Sequence, residues 1–466
     1  MANTRNSPSP NKLLAIDHAF ERALGAIRAR VCVSGAPLAV AVAYSGGLDS
    51  RVLLQLAAAW GRGSGVRVHA LHVHHGLSPN AQAWSEHCEQ ACAALNMPLE
   101  VLRVQVRNAG DGIEAAARQA RYTALGDACR RLGLNVLLTG HHQDDQAETV
   151  LLQLLRGAGV AGLAAMSALQ QESVAGPGIV LGRPLLDIRR AAIAAWAEAH
   201  GLRWVEEESN AQTHFRRNAV RHLVLPAIEQ AFPNCIDLLA RSAAHLQGAQ
   251  GLLEDLARID LARCAGHASS LKVEALARLP LERANNLLRY WLHSLSGVLP
   301  SAAQLEQLRA QATSAPDAHP LLIFGEFEAR RHAGELRLLP RHARQDRSAG
   351  PCLRLQWQGQ GSIAVPQWGG RLSFTPVTGP ALPPELLRGA ALELRPRVGH
   401  EKLQLAPNRP SRTLKNLYQE AGIPAWRRPG LPLLWQGDQL LFAAGVGADC
   451  RFLQDGPGYC LTWESE

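Results

Sequence analysis

The sequence lacks several features that would assign it to a secreted or membrane class. It has nine cysteines, an odd number at scattered positions, and no Cys-x-x-Cys pair, which argues against a disulfide framework. No apolar run of about 18 residues occurs, so we predict no membrane span. The polar start, MANTRNSPSPNK, has no apolar core of the kind that a signal peptide needs. These absences favour a cytoplasmic globular protein without a membrane partner.

The length and composition of the chain fit a globular protein. The 466 residues are enough for two or three domains, with 47% hydrophobic and 19% charged residues. The net charge of +8 is a mild basic excess, which indicates a polyanionic partner only if the charge is clustered. Cys88 and Cys92 lie four apart in a helical pattern, so we predict buried core thiols rather than a metal pair.

The pattern of the chain predicts its organisation. Between about 37 and 208, five β-rich runs (PLAVAVAY, VRVHALHV, LEVLRVQV, NVLLTG and GIVLGRPLL) alternate with helical stretches. That alternation predicts an α/β fold with a doubly wound parallel sheet, whose ligands bind beyond the carboxyl ends of the strands. A Leu- and Ala-rich helical region and a smaller mixed α+β domain should follow. We predict a tail and helix at 1–34, then domains at 35–215, 216–345 and 351–466.

The stretch VAYSGGLDSRVLLQLA, residues 42–57, passes from a short strand into an apolar helix through Ser and Gly. Its glycines permit close approach of a ligand to the backbone, and the amides at a helix N-terminus bind anions. A carboxylate fits there only if a divalent cation accompanies the anion, so Asp49 is a candidate Mg²⁺ ligand for a bound polyphosphate. The lysine of the usual P-loop is absent. A glycine-rich helix start without a ligand is the weaker alternative to a site formed by Ser45, Gly46, Gly47, Leu48, Asp49 and Ser50.

The stretch GHHQDDQAET, residues 140–149, places carboxylates in the first turns of a helix that follows a strand. Asp144 and Glu148 are four residues apart and are predicted to share a helix face. Two carboxylates so placed can hold magnesium or grip an ammonium group. A capped helix with acidic residues in its first turn explains these ten residues equally well.

Taken together, the motifs resemble one family. SGGLDS is similar to the signature loop of the PP-loop ATP pyrophosphatases, which split ATP between its α- and β-phosphates. The motifs HVHHGLSPNAQAW, GDGIEAAARQARY, GHHQDDQAET, RPLL and EEESNAQTHFRRNAVRH follow in the order typical of tRNA(Ile)-lysidine synthetases. This resemblance spans essentially the whole chain. One departure is Glu207, where many members carry Asp, so the charge is kept on a longer side chain.

The resemblance implies a ligase that uses ATP and Mg²⁺ to join L-lysine to C2 of the wobble cytidine in the CAU anticodon of an isoleucine tRNA. The cytosine O2 attacks the α-phosphate of ATP, and the lysine ε-amine then expels AMP. A carboxylate must accept a proton from the ammonium. The implied catalytic residues are Asp49, Arg118, Asp144, Asp145 and Glu148.

Arginines in two of these motifs are further candidates for residues that contact the substrates. Arg118 and Arg121 lie three apart on a helix, where arginines are usually surface residues, and the motif favours one that reaches phosphate. Arg217 and Arg221 of RRNAVRH are candidates for closing the active site or contacting tRNA, and a solvated helix face explains them nearly as well. The three histidines of HVHHG have no Cys or acid that would complete a zinc set.

Three rival functions make different demands on the sequence. A tRNA thiolase of the same superfamily needs reactive cysteines, commonly as Cys-x-x-Cys, which are missing. A glutamine-dependent synthetase needs an amidotransferase nucleophile, whereas residue 2 is alanine. A non-catalytic tRNA-binding protein would not need Asp49 or the GHHQDDQAET carboxylates. The oligomeric state and the basis of tRNA discrimination are not predictable from these motifs.

A basic segment near the C-terminus is a candidate tRNA contact. Residues 395–428 contain eight Lys or Arg and two Glu, a net charge of +6 (8 − 2), with Tyr418 and Trp426 between them. SRTLKNLYQEAGIP has a Ser cap and a Gly–Pro stop, which predicts a helix. Contacts from such a patch to phosphates make binding salt-dependent; a solvated amphipathic helix is the alternative. The predicted tRNA-binding residues are Arg217, Arg221, Arg412, Lys415, Arg427 and Arg428.

Overall fold

The computed structural model describes residues 10–31, 37–76, 78, 80–105, 113–171, 175–206, 208, 212–312, 321–341, 350–388 and 391–465. Two compact units divide the chain, one up to Leu252 and the other from Leu253 onward. The boundary lies within the long helix Cys235–Cys264, which belongs to the predicted Leu- and Ala-rich helical region.

The first unit is built on a six-stranded sheet. Its strands are β1 (Ala39–Ala43), β2 (Arg67–His74), β3 (Leu99–Arg103), β4 (Val136–Leu138), β5 (Leu169–Gln170) and β6 (Val180–Gly182). Their order is β3-β2-β1-β4-β6-β5. All pairs are parallel except β5 with β6, at one edge. The predicted parallel sheet is confirmed, and the five predicted strands are present in it.

Helices cover both faces of this sheet. The helices described up to residue 264 are α1 (Pro10–Val31), α2 (Leu48–Ser64), α3 (Ala81–Ala94), α4 (Ile113–Leu132), α5 (Gln143–Leu154), α6 (Val160–Leu163), α7 (Arg190–Ala199), α8 (Arg216–Ala219), α9 (Leu225–Ala231) and α10 (Cys235–Cys264). Val40 and Val42 of β1 pack with α1, α2, α3 and α7, whereas Ala39 and Ala41 pack with α4. Because alternate residues of a strand point to opposite faces, this division confirms the doubly wound arrangement.

Cys88 and Cys92 lie in the core, as predicted. They are 0% and 1% exposed, and burial raises the pKa of Cys88 to about 12 and that of Cys92 to about 11. Within the described ranges, no group of three or more His, Cys, Asp or Glu side chains is arranged to hold a metal ion.

No single helix in the described part of the chain is long and apolar enough to cross a membrane. The segments Arg216–Ala231 and Cys235–Cys264 meet that criterion jointly by length and composition, and they are bent by 100° at the break between them.

The second unit begins with the end of α10 and continues the predicted helical region. Its helices are α11 (Val273–Ala277), α12 (Leu281–Ser296) and α13 (Ala302–Ala312). A small antiparallel sheet of order β7-β10-β9-β8 accompanies them, which the sequence did not predict. Its strands are β7 (Leu271–Lys272), β8 (Leu321–Phe324), β9 (Phe327–His332) and β10 (Glu335–Pro340). Buried side chains from both layers, among them Leu288, Trp291 and Phe324, form one core.

The rest of the second unit is mainly antiparallel β-structure. Its strands are β11 (Leu353–Leu355), β12 (Ser362–Val365), β13 (Gly370–Ala381), β14 (Leu392–Arg395), β15 (Lys402–Leu403), β16 (Arg412–Thr413), β17 (Leu433–Gln436), β18 (Gln439–Ala443), β19 (Gly447–Ala448) and β20 (Gln454–Ser465). Two short helices, α14 (Pro384–Arg388) and α15 (Leu414–Glu420), interrupt them. The sheets have the orders β11-β14-β17-β18-β19, β12-β13-β20 and β15-β16. This agrees with the predicted mixed C-terminal domain.

Candidate active site

The Ser45–Ser50 turn lies at the carboxyl end of β1 and leads into α2. The backbone N–H of Ser45 donates to Ser50 Oγ at 3.2 Å, and Ser50 Oγ donates to the carbonyl of Gly47 at 3.0 Å. The two serine hydroxyls are 3.1 Å apart. These bonds hold the turn in a fixed shape, and Gly47 has no side chain over the first turn of α2. The amides there are arranged as an anion site requires.

Gly46 is the residue on which this shape depends. Its φ is +90°, and a Cβ at this position would lie 3.1 Å from the Cys88 sulfur. Its carbonyl accepts the N–H of Val205 at 2.9 Å. Any L side chain at this position would therefore be strained and crowded against α3.

Asp49 has a carboxylate oxygen without a partner. Oδ1 is buried and accepts no hydrogen bond from the residues described, and Arg190 Nε is 3.9 Å away. Burial raises the pKa of Asp49, although His142 and Arg190 oppose that shift. A buried oxygen of this kind is costly unless a cation or donor occupies it. One carboxylate beside a phosphate site fits the coordination of Mg²⁺, which takes its other ligands from phosphates and water.

Gly140 brings the end of β4 against this turn. A Cβ on Gly140 would lie 3.0 Å from the carbonyl carbon of Asp49 and 3.1 Å from the backbone nitrogen of Ser50. Both are backbone atoms of α2, so they could not move without shifting the first turn of that helix. The glycine of GHHQDDQAET therefore permits the two motifs to meet.

The carboxylates of α5 differ in the partners that they bind. Asp144 and Glu148 lie four residues apart in α5 and share a helix face as predicted, but they have no partner in common among the described residues. Asp144 Oδ2 accepts the backbone N–H of Arg190 at 2.8 Å. Asp145 and Glu148, three residues apart, share their partners instead. The difference arises because Asp145 also completes the helix cap with His142, which turns its side chain inward.

Arg217 and Arg221 are those shared partners. Arg217 donates to Glu148 Oε2 at 2.8 Å and to Asp145 Oδ1 at 2.9 Å. Arg221 donates to Glu148 Oε1 at 2.5 Å and to Asp145 Oδ1 at 3.0 Å. Burial lowers the pKa of both arginines, but the two carboxylates outweigh it and raise the pKa. Both guanidinium groups therefore cover the α5 carboxylates, and the roles in closing the active site or in contacting tRNA stay predictions.

The backbone that carries these arginines is unusual. Between α8 and α9, residues Val220–Val224 form one π-helical turn. Val220 and Leu225 pack with Ala147 and Leu151 of α5 in a small core, which fixes the arginines over Asp145 and Glu148. Single π turns occur frequently at functional sites.

Sequence reasoning did not assign a role to His142. It is 1% exposed, and its Nδ1 accepts the backbone N–H of Asp145 at 3.2 Å. The proton of a neutral ring therefore lies on Nε2, which is 3.3 Å from Asp145 Oδ2 and 3.7 Å from Asp49 Oδ2. His142 thus connects the α2 turn to the α5 carboxylates. The only available signal was its position directly before a predicted helix.

Arg118, one of the predicted catalytic residues, is exposed on α4. Its Cζ lies 5.0 Å from the Tyr122 ring centroid. A contact of Arg118 with phosphate or the adenylate stays a prediction. Burial, together with Arg183, Arg217 and Arg118, lowers the pKa of His141 to about 3 against the opposing effect of Asp145. Glu207 lies outside the described residues.

The basic C-terminal segment is less uniform than its sequence indicates. The predicted Ser cap is wrong, because Arg412 belongs to β16 and α15 begins at Leu414. Arg412 forms an ion pair with Glu420. Tyr418 is 0% exposed and so does not lie between the surface charges.

Three other basic residues of this segment differ in exposure. Lys415 and Arg427 are exposed. Arg428 is half-buried, donates to the carbonyl of Ile423 at 3.0 Å, and has its pKa lowered by burial. Lys415 and Arg427 are therefore the residues of this set that are best placed to meet an external phosphate.

The fold and the Gly-Gly turn define a PP-loop protein. A family model described as a PP-loop domain matches residues 18–228, which contain both motifs of the site. Two further models match the second unit: a TilS substrate binding domain at 271–337 and a TilS substrate C-terminal domain at 392–463.

Comparison with curated relatives shows to which family of PP-loop proteins the chain belongs. The tRNA(Ile)-lysidine synthase of Burkholderia pseudomallei is 44% identical over 454 residues, which cover 90% of each chain. That of Ralstonia nicotianae is 43% identical and covers 97% of each chain. A solved U34-tRNA thiolase from Methanococcus maripaludis matches 51% of this chain and 80% of its own at 16% identity, with a TM-score of 0.43. This chain belongs to the tRNA(Ile)-lysidine synthase family.

Proposed function

We propose that the protein ligates L-lysine to C2 of cytidine 34 in the CAU anticodon of an isoleucine tRNA. The reaction consumes ATP, passes through an adenylated cytidine, and gives lysidine, AMP and pyrophosphate. Membership of the family supports the reaction. The observation that carries the assignment of the site is the meeting of the Ser45–Ser50 turn with the α5 carboxylates through His142. Because its substrates are ATP and tRNA, we propose that the reaction takes place in the cytoplasm.

In the first step, the cytosine O2 attacks the α-phosphate of ATP and pyrophosphate leaves. The amides at the start of α2 and the hydroxyls of Ser45 and Ser50 would hold the phosphates, and they favour the charge that develops on them. Asp49 would hold Mg²⁺ through its unpartnered oxygen. When bound, Mg²⁺ supplies compensation for phosphate charge. Arg118 remains our candidate for a contact to the adenylate.

In the second step, the lysine ε-amine attacks C2 and expels AMP. Asp145 and Glu148 would bind the substrate as an ammonium, which must lose a proton before it attacks. Burial alone would raise the pKa of Asp145, but His142 and Arg217 lower it to about 2. Asp145 is therefore ionised and suited to hold an ammonium. Glu148, which shares its partners, is the candidate acceptor of the proton.

The deciding experiment supplies ATP, labelled L-lysine and unmodified isoleucine tRNA with a CAU anticodon. We expect label to enter the tRNA with one AMP released per label. The same tRNA with uridine at position 34 serves as the matched control and should accept none. AMP release without label in the tRNA, or equal labelling of the control, would contradict the proposed reaction.

Gly140→Ala tests the contact between the two motifs. Because the added Cβ would meet backbone atoms of Asp49 and Ser50, we expect tRNA-dependent AMP formation to fall by about tenfold or more, since small misplacements of reacting groups are costly. Gly63→Ala is the control, because it adds a Cβ to α2, the helix that Gly140→Ala would disturb, at a position where no heavy atom lies within 4 Å. It should keep its activity and gain up to about 1 kcal/mol of stability. Equal activity in the two variants would show that the contact is unimportant.

Lys415→Ala with Arg427→Ala tests the proposed tRNA contact. Both side chains are exposed, so we expect weaker tRNA binding, with the slope of log affinity against log salt reduced by about one per lost phosphate contact. Arg412→Ala is the control, and its effect should be smaller because Glu420 already pairs with that arginine. Binding is measured by filter retention at several salt concentrations. An unchanged slope in the double variant would remove these residues from the interface.

A further inference from the structure

The proposed amine site is already filled by protein cations. Glu148 Oε1 accepts from Arg221, and Oε2 accepts from both arginines. Asp145 Oδ1 accepts from both arginines as well, and Oδ2 accepts the backbone N–H of His142. Each of the four carboxylate oxygens therefore has a donor. The two carboxylates are also balanced in charge by the two guanidinium groups, so an ammonium group that entered beside both would place three buried cations against two anions unless a guanidinium leaves.

Charge balance restricts what can replace an arginine. Glu148 is 1% exposed at its side chain and Asp145 is 10% exposed. Removing one partner of a buried ion pair is strongly destabilising, because an uncompensated charge is left behind. A neutral group that displaced Arg217 or Arg221 would incur that cost, whereas an ammonium would restore both the charge and the hydrogen bonds.

We infer that Arg217 and Arg221 act as internal counter-ions that the substrate's ammonium group must replace, and that this exchange selects a cationic amine. The inference rests on the proposed function, because it takes Asp145 and Glu148 to be the amine site. Arg217 and Arg221 are in this sense specificity-determining residues. They hold the carboxylates ionised and inaccessible to neutral molecules until lysine arrives.

The geometry indicates which partners move. The arginine side chains are 31% and 27% exposed, so they have a route to solvent that the carboxylates lack. The carboxylates project from the first two turns of α5, a regular helix capped by His142. The arginines flank the start of the π-helical turn at 220–224, where the chain departs from regular α-helix. The exchange of a guanidinium for the ammonium group therefore requires the segment that carries the arginines to move while α5 stays in place.

The first test uses the unaltered protein and an arginine-specific dicarbonyl reagent. Modification of Arg217 and Arg221 is followed by peptide mass spectrometry with α,β-methylene ATP, in the presence of L-lysine or of norleucine, which lacks the ε-amine. We expect lysine to raise the modification rate of at least one of the two arginines about fivefold or more, and norleucine to leave it unchanged. Arg131, which pairs with Glu100, is the internal control and should not respond.

The second test measures the affinity for labelled lysine by equilibrium dialysis under the same conditions. In Arg221→Gln a competitor is removed, so lysine should bind about fivefold or more tightly, while Arg131→Gln should bind it as the unaltered protein does. If Arg221→Gln does not fold, the modification experiment decides alone.

The outcomes separate the inference from the proposed function. Saturable lysine binding with unchanged or slower modification of both arginines would overturn the exchange and leave the proposed function standing. Weaker lysine binding in a folded Arg221→Gln variant would do the same, since it would make Arg221 a partner of lysine rather than a competitor. If labelled lysine binds neither alone nor with isoleucine tRNA added, the proposed function fails together with the inference.

Discussion

Asp49→Asn should reduce tRNA-dependent AMP formation by about a hundredfold or more, a loss typical of removing a main electrostatic contact to a transition state. The buried Oδ1 of Asp49 has no hydrogen-bond partner in the described structure, and an amide in its place would no longer hold a divalent cation. The fold should survive, because burial raises the pKa of this carboxyl and its charge is therefore not a source of stability. AMP release is measured at saturating ATP and tRNA.

The control for this variant is Asp127→Asn, which removes an exposed carboxylate of the same unit that pairs with Arg130. It should retain activity. A magnesium titration adds a second readout, since the activity of the unaltered protein should depend on Mg²⁺ and the residual activity of Asp49→Asn should not. A folded Asp49→Asn protein with full AMP production would refute the role assigned to this residue.

Glu148→Gln should raise the apparent KM for lysine by about 10- to 100-fold, the equivalent of the ~1.5–3 kcal/mol of a hydrogen bond to a charged group. Glutamine keeps the shape of the side chain but cannot balance an ammonium. The affinity for ATP should change little, because Glu148 contacts Arg217 and Arg221 rather than the Ser45–Ser50 turn. The measurement compares the KM for lysine with ATP binding by the same protein.

Asp144→Asn provides the comparison for that variant. Asp144 accepts the backbone N–H of Arg190, whose side chain lies near Asp49, so its replacement should affect ATP use more than lysine use. If both variants lose lysine and ATP use in equal proportion, Asp144 and Glu148 do not have the separate roles that their partners indicate.

The fold was largely predictable because its signals are local. Each of the five parallel strands is a short apolar run, and β1 shows the alternation that lets Val40 and Ala41 face different helices. The edge strand β5 and the sheet of β7 to β10 were missed. The strands β5 and β7 are only two residues long, and such strands carry no period of their own.

The site was predictable only where one short segment contains it. The Ser45–Ser50 turn is recognisable in the sequence from its glycines and Asp49. The pairing of Asp145 with Glu148 is not, because it depends on Arg217 and Arg221, about 70 residues away. Helical spacing correctly placed Asp144 and Glu148 on one face, but it could not show that Asp145 and Glu148 share their arginine partners. Arg190 and His142 gave no signal beyond their positions at helix starts.

The π-helical turn at 220–224 makes the site sensitive to the length of the chain as well as to its composition. A π turn holds one residue more than an α-helical turn, so deleting a single residue there would restore regular helix. Deleting Val220 would leave α8 and α9 close to their present orientation, because the π turn takes up its extra residue within one turn, but it would bring Arg217 and Arg221 from four residues apart to three. Since each residue of an α-helix accounts for about 100° of rotation, the angle between the two side chains would change by roughly that amount with every site residue still encoded. Residue-by-residue comparison of related sequences would record all the site residues as present, and only the gap would reveal the loss.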